Sequence, residues 1–267
     1  MTDKNLPVTP VAPVANGTMS LLEHFRELRM RLFRASIGVL FGGVFGWVFY
    51  NSIVRILSRP ICRLKLRTLT SAQSCGSLYV NGVLGPLNLK ISVAIFVGII
   101  LSAPIWIYQL WAFVSPALQK REKGYSLLFI FLSMPFFAVG VWFGYWLLPI
   151  AVQQIMGLTP ANLSNLIRFD EYLVFILKLL LVFGIAFELP VFLLALNFMN
   201  ILSGKSMLRP WRYVVFAITL FAAIFVPTGD PFTMLFLAIP MWFFYFCAAF
   251  IGVLHDRGWK LRGIKSR

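Results

Sequence analysis

Residues 172–197 read YLVFILKLLLVFGIAFELPVFLLALN, and only Lys178 and Glu188 interrupt the run with charge. A helix needs about 20 apolar residues to cross the hydrocarbon core of a bilayer, and this stretch is longer than that. The rest of the chain makes the same case. It has 267 residues, of which 60% are hydrophobic and 12% charged. A soluble domain is about 45–50% apolar and about 25% charged. A chain of this kind could not hide so much apolar surface from water, so its solvent is lipid.

Working outward, six apolar segments stand out, at roughly 32–54, 89–111, 127–149, 172–197, 213–227 and 232–254. The expected fold is an all-α integral membrane protein with six transmembrane helices in one domain over residues 19–254. Residues 1–18 are rich in Pro, Val, Ala and Thr and are expected to be a disordered tail, not a signal peptide. Residues 255–267, HDRGWKLRGIKSR, are expected to be a basic tail. The fifth segment is short, and only the turn PTGDP at 227–231 separates it from the sixth. Spans five and six are therefore expected to be short, with a locally thinned bilayer around them.

Six crossings place both ends on one side, and the Lys/Arg bias decides which. With the ends in the cytoplasm, that side holds Arg26, Arg29, Arg31, Arg34, Lys120, Arg121, Lys123, Lys205, Arg209, Arg212 and the basic tail. The net charge of +15 lies in short clusters between apolar runs. It points to membrane orientation and anionic lipid, not to nucleic acid. The first outer loop, about 55–88, breaks the rule with five basic residues and no acid. Its length predicts structure of its own. Cys62 and Cys75 both fall in it, where an oxidising compartment permits pairing. A disulfide and two separate thiols both remain open, because spacing alone does not establish a bridge.

Gly38, Gly42 and Gly46 recur every four residues in span one, and Gly140 and Gly144 do so in span three. Small residues at this spacing let helix backbones approach closely in lipid. Pro104, Pro135, Pro190 and Pro240 each sit within a span and bend it. Glu188 is the clearest candidate for an intramembrane functional group, since a charge at that depth costs roughly 2.5–3.5 kcal/mol on insertion scales. The competing reading is a protonated carboxyl satisfied by a carbonyl freed near Pro190. Lys178 points to a different face and does not pair with it. Asp230 reads equally as a turn former and as a functional group. Enzyme motifs are nearly absent. SGKS at 203–206 resembles a phosphate loop, but Met199 stands where its first glycine belongs and no strand precedes it. His24 and His255 have no metal-ligand spacing around them. No cofactor is expected.

Residues 20–32, SLLEHFRELRMRL, open with a capping box, Ser20 and Glu23. Leu21, Leu22, Phe25, Leu28 and Leu32 then give an apolar stripe at helical spacing. Glu27 lies four residues before Arg31, a spacing that suits a surface pair worth a few tenths of a kcal/mol. A second carboxylate, Glu122, is placed on the same membrane face by the topology. Two such groups can each take a guanidinium.

ELRxRL before span one, SAPxxxYQxWAFxxPAL at 102–118, FExP in span four and the PxxD turn before span six together resemble TatC proteins. These are the core subunits of twin-arginine protein translocases. The resemblance covers nearly all of residues 19–254 and implies a glove-shaped, concave helix array. It implies an inner-membrane receptor, not an enzyme, that takes folded proteins bearing a twin-arginine signal peptide. It further implies transport driven by the proton-motive force, with TatA- and TatB-type partners and other copies of itself. Carried over by motif, Glu27 and Glu122 would receive the arginine pair, with Arg29 and Phe113 beside them. Glu188 would line the concave face, and Pro60 would match a proline of the first outer loop. Asp230 and the position four beyond it would meet TatA or TatB in spans five and six. That second position is Met234, where the family motif has Gln, so a Met-lined or shifted contact is expected. A secondary transporter using Glu188 as a proton relay would show internal repeats, and none is evident. A passive scaffold would make the two acids dispensable.

Overall fold

The computed structural model describes residues 21–63, 78–114, 123–157, 167–199, 201–225 and 231–265. The tail 1–18, Cys75, Glu122 and Asp230 lie outside that set, as do the side chains of Pro60 and Cys62. The Cys62–Cys75 pairing therefore falls outside the described residues.

The chain runs α1 (Leu21–Val48), α2 (Tyr50–Arg63), β1 (Leu78–Tyr79), α3 (Gly85–Leu101), α4 (Ala103–Val114) and α5 (Lys123–Gly157). It continues through β2 (Ile167–Arg168), α6 (Phe169–Phe198), α7 (Gly204–Leu208), α8 (Trp211–Phe225) and α9 (Pro231–Lys265). Among the described residues, four helices are long and apolar enough to cross a membrane, at 23–48, 128–153, 169–198 and 234–256. This is an all-α membrane protein.

The segment at 89–111 is bent, as Pro104 predicts, and sharply enough to divide it. It is two helices, α3 and α4, bent by 54° at Ser102. Pro104 has no N–H to continue the ladder. Side chains take up the freed backbone at the break. The indole N–H of Trp106 donates to the Ile99 carbonyl at 3.0 Å. The Ser102 hydroxyl donates to the same oxygen at 3.3 Å. The fifth helix, α8, is short as expected, with 15 residues. The sixth is not. α9 has 35 residues and continues as helix through the region read as a basic tail.

The middle of the protein is α6, where Leu173, Ile176, Phe183 and Ala195 are fully buried. It packs on α5, α3 and α9. The small-residue stripes now have partners. A Cβ on Gly140 would stand 2.5 Å from the Phe183 carbonyl of α6. A Cβ on Gly42 would stand 2.7 Å from the Gly98 carbonyl of α3. Both helix pairs thus touch backbone to backbone, as small residues allow.

The described part of the segment 55–88 has structure of its own, as its length suggests. α2 is anchored by two phenols, Tyr145 to the Ile56 carbonyl at 3.2 Å and Tyr172 to the Leu57 carbonyl at 3.3 Å. Beyond it, β1 pairs in parallel with β2, Leu78 opposite Ile167 and Tyr79 opposite Arg168. Arg168 in turn holds Asp170 at 2.6 Å and Glu171 at 2.8 Å.

At the opposite end, a polar knot joins α6, α7 and α9. Asp256 accepts the Gly204 N–H at 2.7 Å and the Asn197 amide at 3.1 Å. Asn197 also donates to the Leu202 carbonyl at 2.9 Å. Gly204 is required there, since a Cβ would stand 2.3 Å from the Val253 nitrogen. Asp256→Asn keeps the shape but presents one acceptor oxygen, so one of the two bonds becomes a donor–donor contact and the other loses its charge. It should cost about 1–3 kcal/mol, read as a lower apparent unfolding temperature in detergent.

Candidate functional site

Two arrangements of polar groups stand out, and α4 touches both. The first lies at the start of α1. His24 stacks on Phe113 near the end of α4, with ring centroids 4.4 Å apart and planes 26° apart. Glu27 lies one helical turn on from His24, and Arg31 one turn beyond Glu27. Arg31 Nε donates to Glu27 Oε1 at 3.0 Å, and its Nη2 reaches the same oxygen. The two side chains are only 23% and 19% exposed, Glu27 and Arg31 respectively. They are far less wetted than the surface pair that spacing suggests. Glu27 Oε2 is buried and has no hydrogen-bond partner among the described residues. One carboxylate oxygen is thus engaged and the other is not.

The sequence reading brought Glu27 and Phe113 to this place and missed His24. The signal for His24 was its position three residues before Glu27, which puts both on one helix face. Arg29 is exposed and lies roughly 200° around the helix from Glu27. It is not part of the cluster. Glu122 lies outside the described residues, although α5 starts at Lys123.

The second arrangement is a cavity of about 900 Å³ walled by α4, α6 and α8, with Met241 of α9 also in its lining. Trp106 and Trp111 line it from α4, Glu188 and Phe192 from α6, and Tyr213 and Ala217 from α8. Glu188 Oε1 is buried without a partner among the described residues. Ser133 lies beside that carboxyl, and its Oγ accepts the indole N–H of Trp111 at 2.9 Å. Trp111→Phe removes this buried bond and replaces a buried indole by a smaller phenyl ring. The lost bond and the void left behind together should cost about 2–3 kcal/mol of stability, measured as thermal unfolding of the purified protein. Lys178 is exposed on α6 and makes no ion pair with Glu188, as expected from their angular separation. Met234 is partly buried against the main core. Among the described residues, no three His, Cys, Asp or Glu side chains come together as a metal site.

A family model described as "Sec-independent protein translocase protein (TatC)" matches residues 23–240. The chain belongs to the TatC family. The match begins before Glu27 and ends within α9, so it spans both arrangements. A Sec-independent protein translocase protein TatC from Xylanimonas cellulosilytica is 37% identical over 246 residues, covering 92% of this chain and 88% of the relative. One from Frankia casuarinae is 35% identical, covering 95% of this chain and 71% of the relative. A crystal structure of the twin arginine translocase receptor TatC in DDM superposes with a TM-score of 0.74 at 30% identity. It covers 86% of this chain and 99% of that one. As a TatC-family protein the chain is a Sec-independent translocase component, with a transport role and not a catalytic one.

Proposed function

We propose that this chain is the receptor that binds twin-arginine signal peptides of folded precursors and starts their passage across the cytoplasmic membrane. The observation that carries this reading is the half-engaged Glu27. Its Oε1 is held by Arg31, while Oε2 is buried and unpartnered among the described residues. A buried acceptor without a donor costs about 1–3 kcal/mol or more when charged. An incoming guanidinium relieves that cost and adds a charge-assisted bond. Glu122 is the second carboxylate, taking the other arginine of the pair, and Phe113 with His24 forms the floor beside them.

In this reading the bent pair α3–α4 is one crossing, α8 is the short fifth, and six crossings leave both termini in the cytoplasm. TatA- and TatB-type single-span partners pack on the α8 and α9 side, with Asp230 and Met234 near the contact, and further copies of the chain complete the assembly. Glu188 is the polar group of the concave face. The proton-motive force drives transport without nucleotide hydrolysis.

Site-specific crosslinking of a twin-arginine precursor to this chain in membranes tests the assignment. Glu27→Ala combined with Glu122→Ala should abolish the crosslink, and Lys-Lys in the signal should weaken it. Unchanged crosslinking to the double variant would show that the arginines bind elsewhere.

A further inference from the structure

We propose that His24 helps to select arginine over lysine in the signal, by stacking its imidazole on the face of the guanidinium that Glu27 holds. This role rests on the receptor reading above and gives His24 a specificity-determining part in it. What Glu27 can offer comes first. Arg31 Nε and Nη2 both donate to its Oε1, so the open acceptor is Oε2. An incoming guanidinium meets that oxygen with N–H groups on its edge. Those bonds lie in the guanidinium plane and leave both of its faces to be covered. An ammonium has no such face. A flat group lying against the bound cation therefore adds a distinction between arginine and lysine that the carboxylate alone does not make.

His24 is placed to be that group. At about 100° per residue, His24, Glu27 and Arg31 fall within about 60° on one face of α1. This is the face that meets α4. His24 stacks on Phe113, and further along α1 a Cβ on Gly38 would stand 3.0 Å from Ile105 Cδ1. Residues three apart on a helix have Cβ atoms about 5–6 Å apart, so a guanidinium bound to Glu27 lies within reach of the His24 ring. One face of that ring lies on Phe113, with centroids 4.4 Å and planes 26° apart, which fixes how the imidazole stands. The other face meets no ring among the described residues, and His24 is exposed. The cations of α1 itself leave it free. Arg31 is committed to Oε1, and Arg29 lies about 140° around the helix from His24. A guanidinium is planar and weakly hydrated and stacks on aromatic faces, whereas a lysine ammonium is a compact, strongly hydrated point charge.

The test is titration of labelled signal peptides into the purified full chain in an uncharged detergent, with Arg-Arg, Lys-Arg and Arg-Lys forms compared. In the parent chain a lysine at either position should weaken binding. His24→Gln keeps a hydrogen-bonding side chain but has no ring. It should reduce the lysine penalty about threefold at one of the two positions and leave the other unchanged. His24→Phe keeps a ring and loses both nitrogens, and should hold the parent penalty. Glu27→Gln should act at the same position as His24→Gln. Both His24 variants should unfold at the parent temperature, since the side chain is exposed. A plain structural tie between α1 and α4 would weaken all three peptides alike and leave their ratios untouched, and that result overturns the proposal. So does a penalty that His24→Gln keeps and His24→Phe loses, which would give the role to a ring nitrogen. If Glu27→Gln changes neither position, the receptor reading fails and the stacking falls with it. If Glu27→Gln acts while both His24 variants match the parent, the carboxylate site stands and the stacking alone is refuted.

Discussion

Gly98→Val should leave little folded protein in the membrane, while Gly43→Ala, in the same helix interface, should leave the amount unchanged. A Cβ on Gly98 would stand 2.7 Å from the Val39 carbonyl oxygen and 2.8 Å from the Gly43 nitrogen of α1. Both are backbone atoms, so no side chain can rotate away. Overpacking that side chains can absorb costs about 1–3 kcal/mol. Here α1 and α3 must separate, and the cost should be about 3 kcal/mol or more. Gly43 makes the control because its Cβ would meet only the Ala94 carbonyl, at an ordinary 3.5 Å. The damage would also reach the candidate site. α1 carries His24 and Glu27, while α3 leads through the bend into α4 and Phe113. Membrane-inserted yield and the apparent unfolding temperature of both variants in detergent provide the check. Wild-type values for Gly98→Val would mean that the two backbones are not in contact.

The same interface shows how far the sequence could be read. The four-residue spacing of Gly38, Gly42 and Gly46 announces close helix approach, because only small side chains permit it in lipid. It does not name the partner. In α3 Ala94 and Gly98 stand four apart as well, but that spacing does not name the helix they meet, and the pairing emerges only from the packed bundle. The bend at Ser102 has a similar history. Pro104 predicts a disturbed helix, yet a bent pair and a straight span have the same hydropathy, so the angle is invisible to a window average. Glu188 was legible because a carboxyl in hydrocarbon is costly on any topology. The cavity it faces was not, since its walls come from helices distant in the chain. His24 was read as an isolated histidine because its ring partner, Phe113, belongs to another helix. The charges after residue 254 suggested a basic tail. Asp256 instead spends its charge on tying α9 to α7, and the helix runs on to Lys265.

Glu27→Gln should weaken binding of a twin-arginine signal by on the order of tenfold or more, with little change in the amount of folded protein. The substitution keeps size and one acceptor oxygen but removes the charge. A hydrogen bond to a charged group is worth about 1.5–3 kcal/mol, against about 1 for a neutral one, and each 1.4 kcal/mol is a factor of ten in affinity. Folding should tolerate the change because Arg31 approaches a single oxygen, Oε1, which the amide can present. Arg31→Ala separates two roles. If Arg31 only competed for the carboxylate, its loss would tighten signal binding. The geometry argues for the other role, since Arg31 leaves Oε2 open and fixes the rotamer that carries it. Arg31→Ala should therefore loosen binding, but by less than Glu27→Gln. Arginine in the signal should outperform lysine in every variant that retains Glu27, because a planar fork fits a carboxylate and a point charge does not. That preference should fade in Glu27→Gln, where the amide offers one acceptor and no charge. Titration of a labelled signal peptide into the purified chain, with Arg-Arg and Lys-Lys forms side by side, measures all of these differences. A Lys-Lys penalty that survives Glu27→Gln undiminished would place the arginine-reading group somewhere other than on α1.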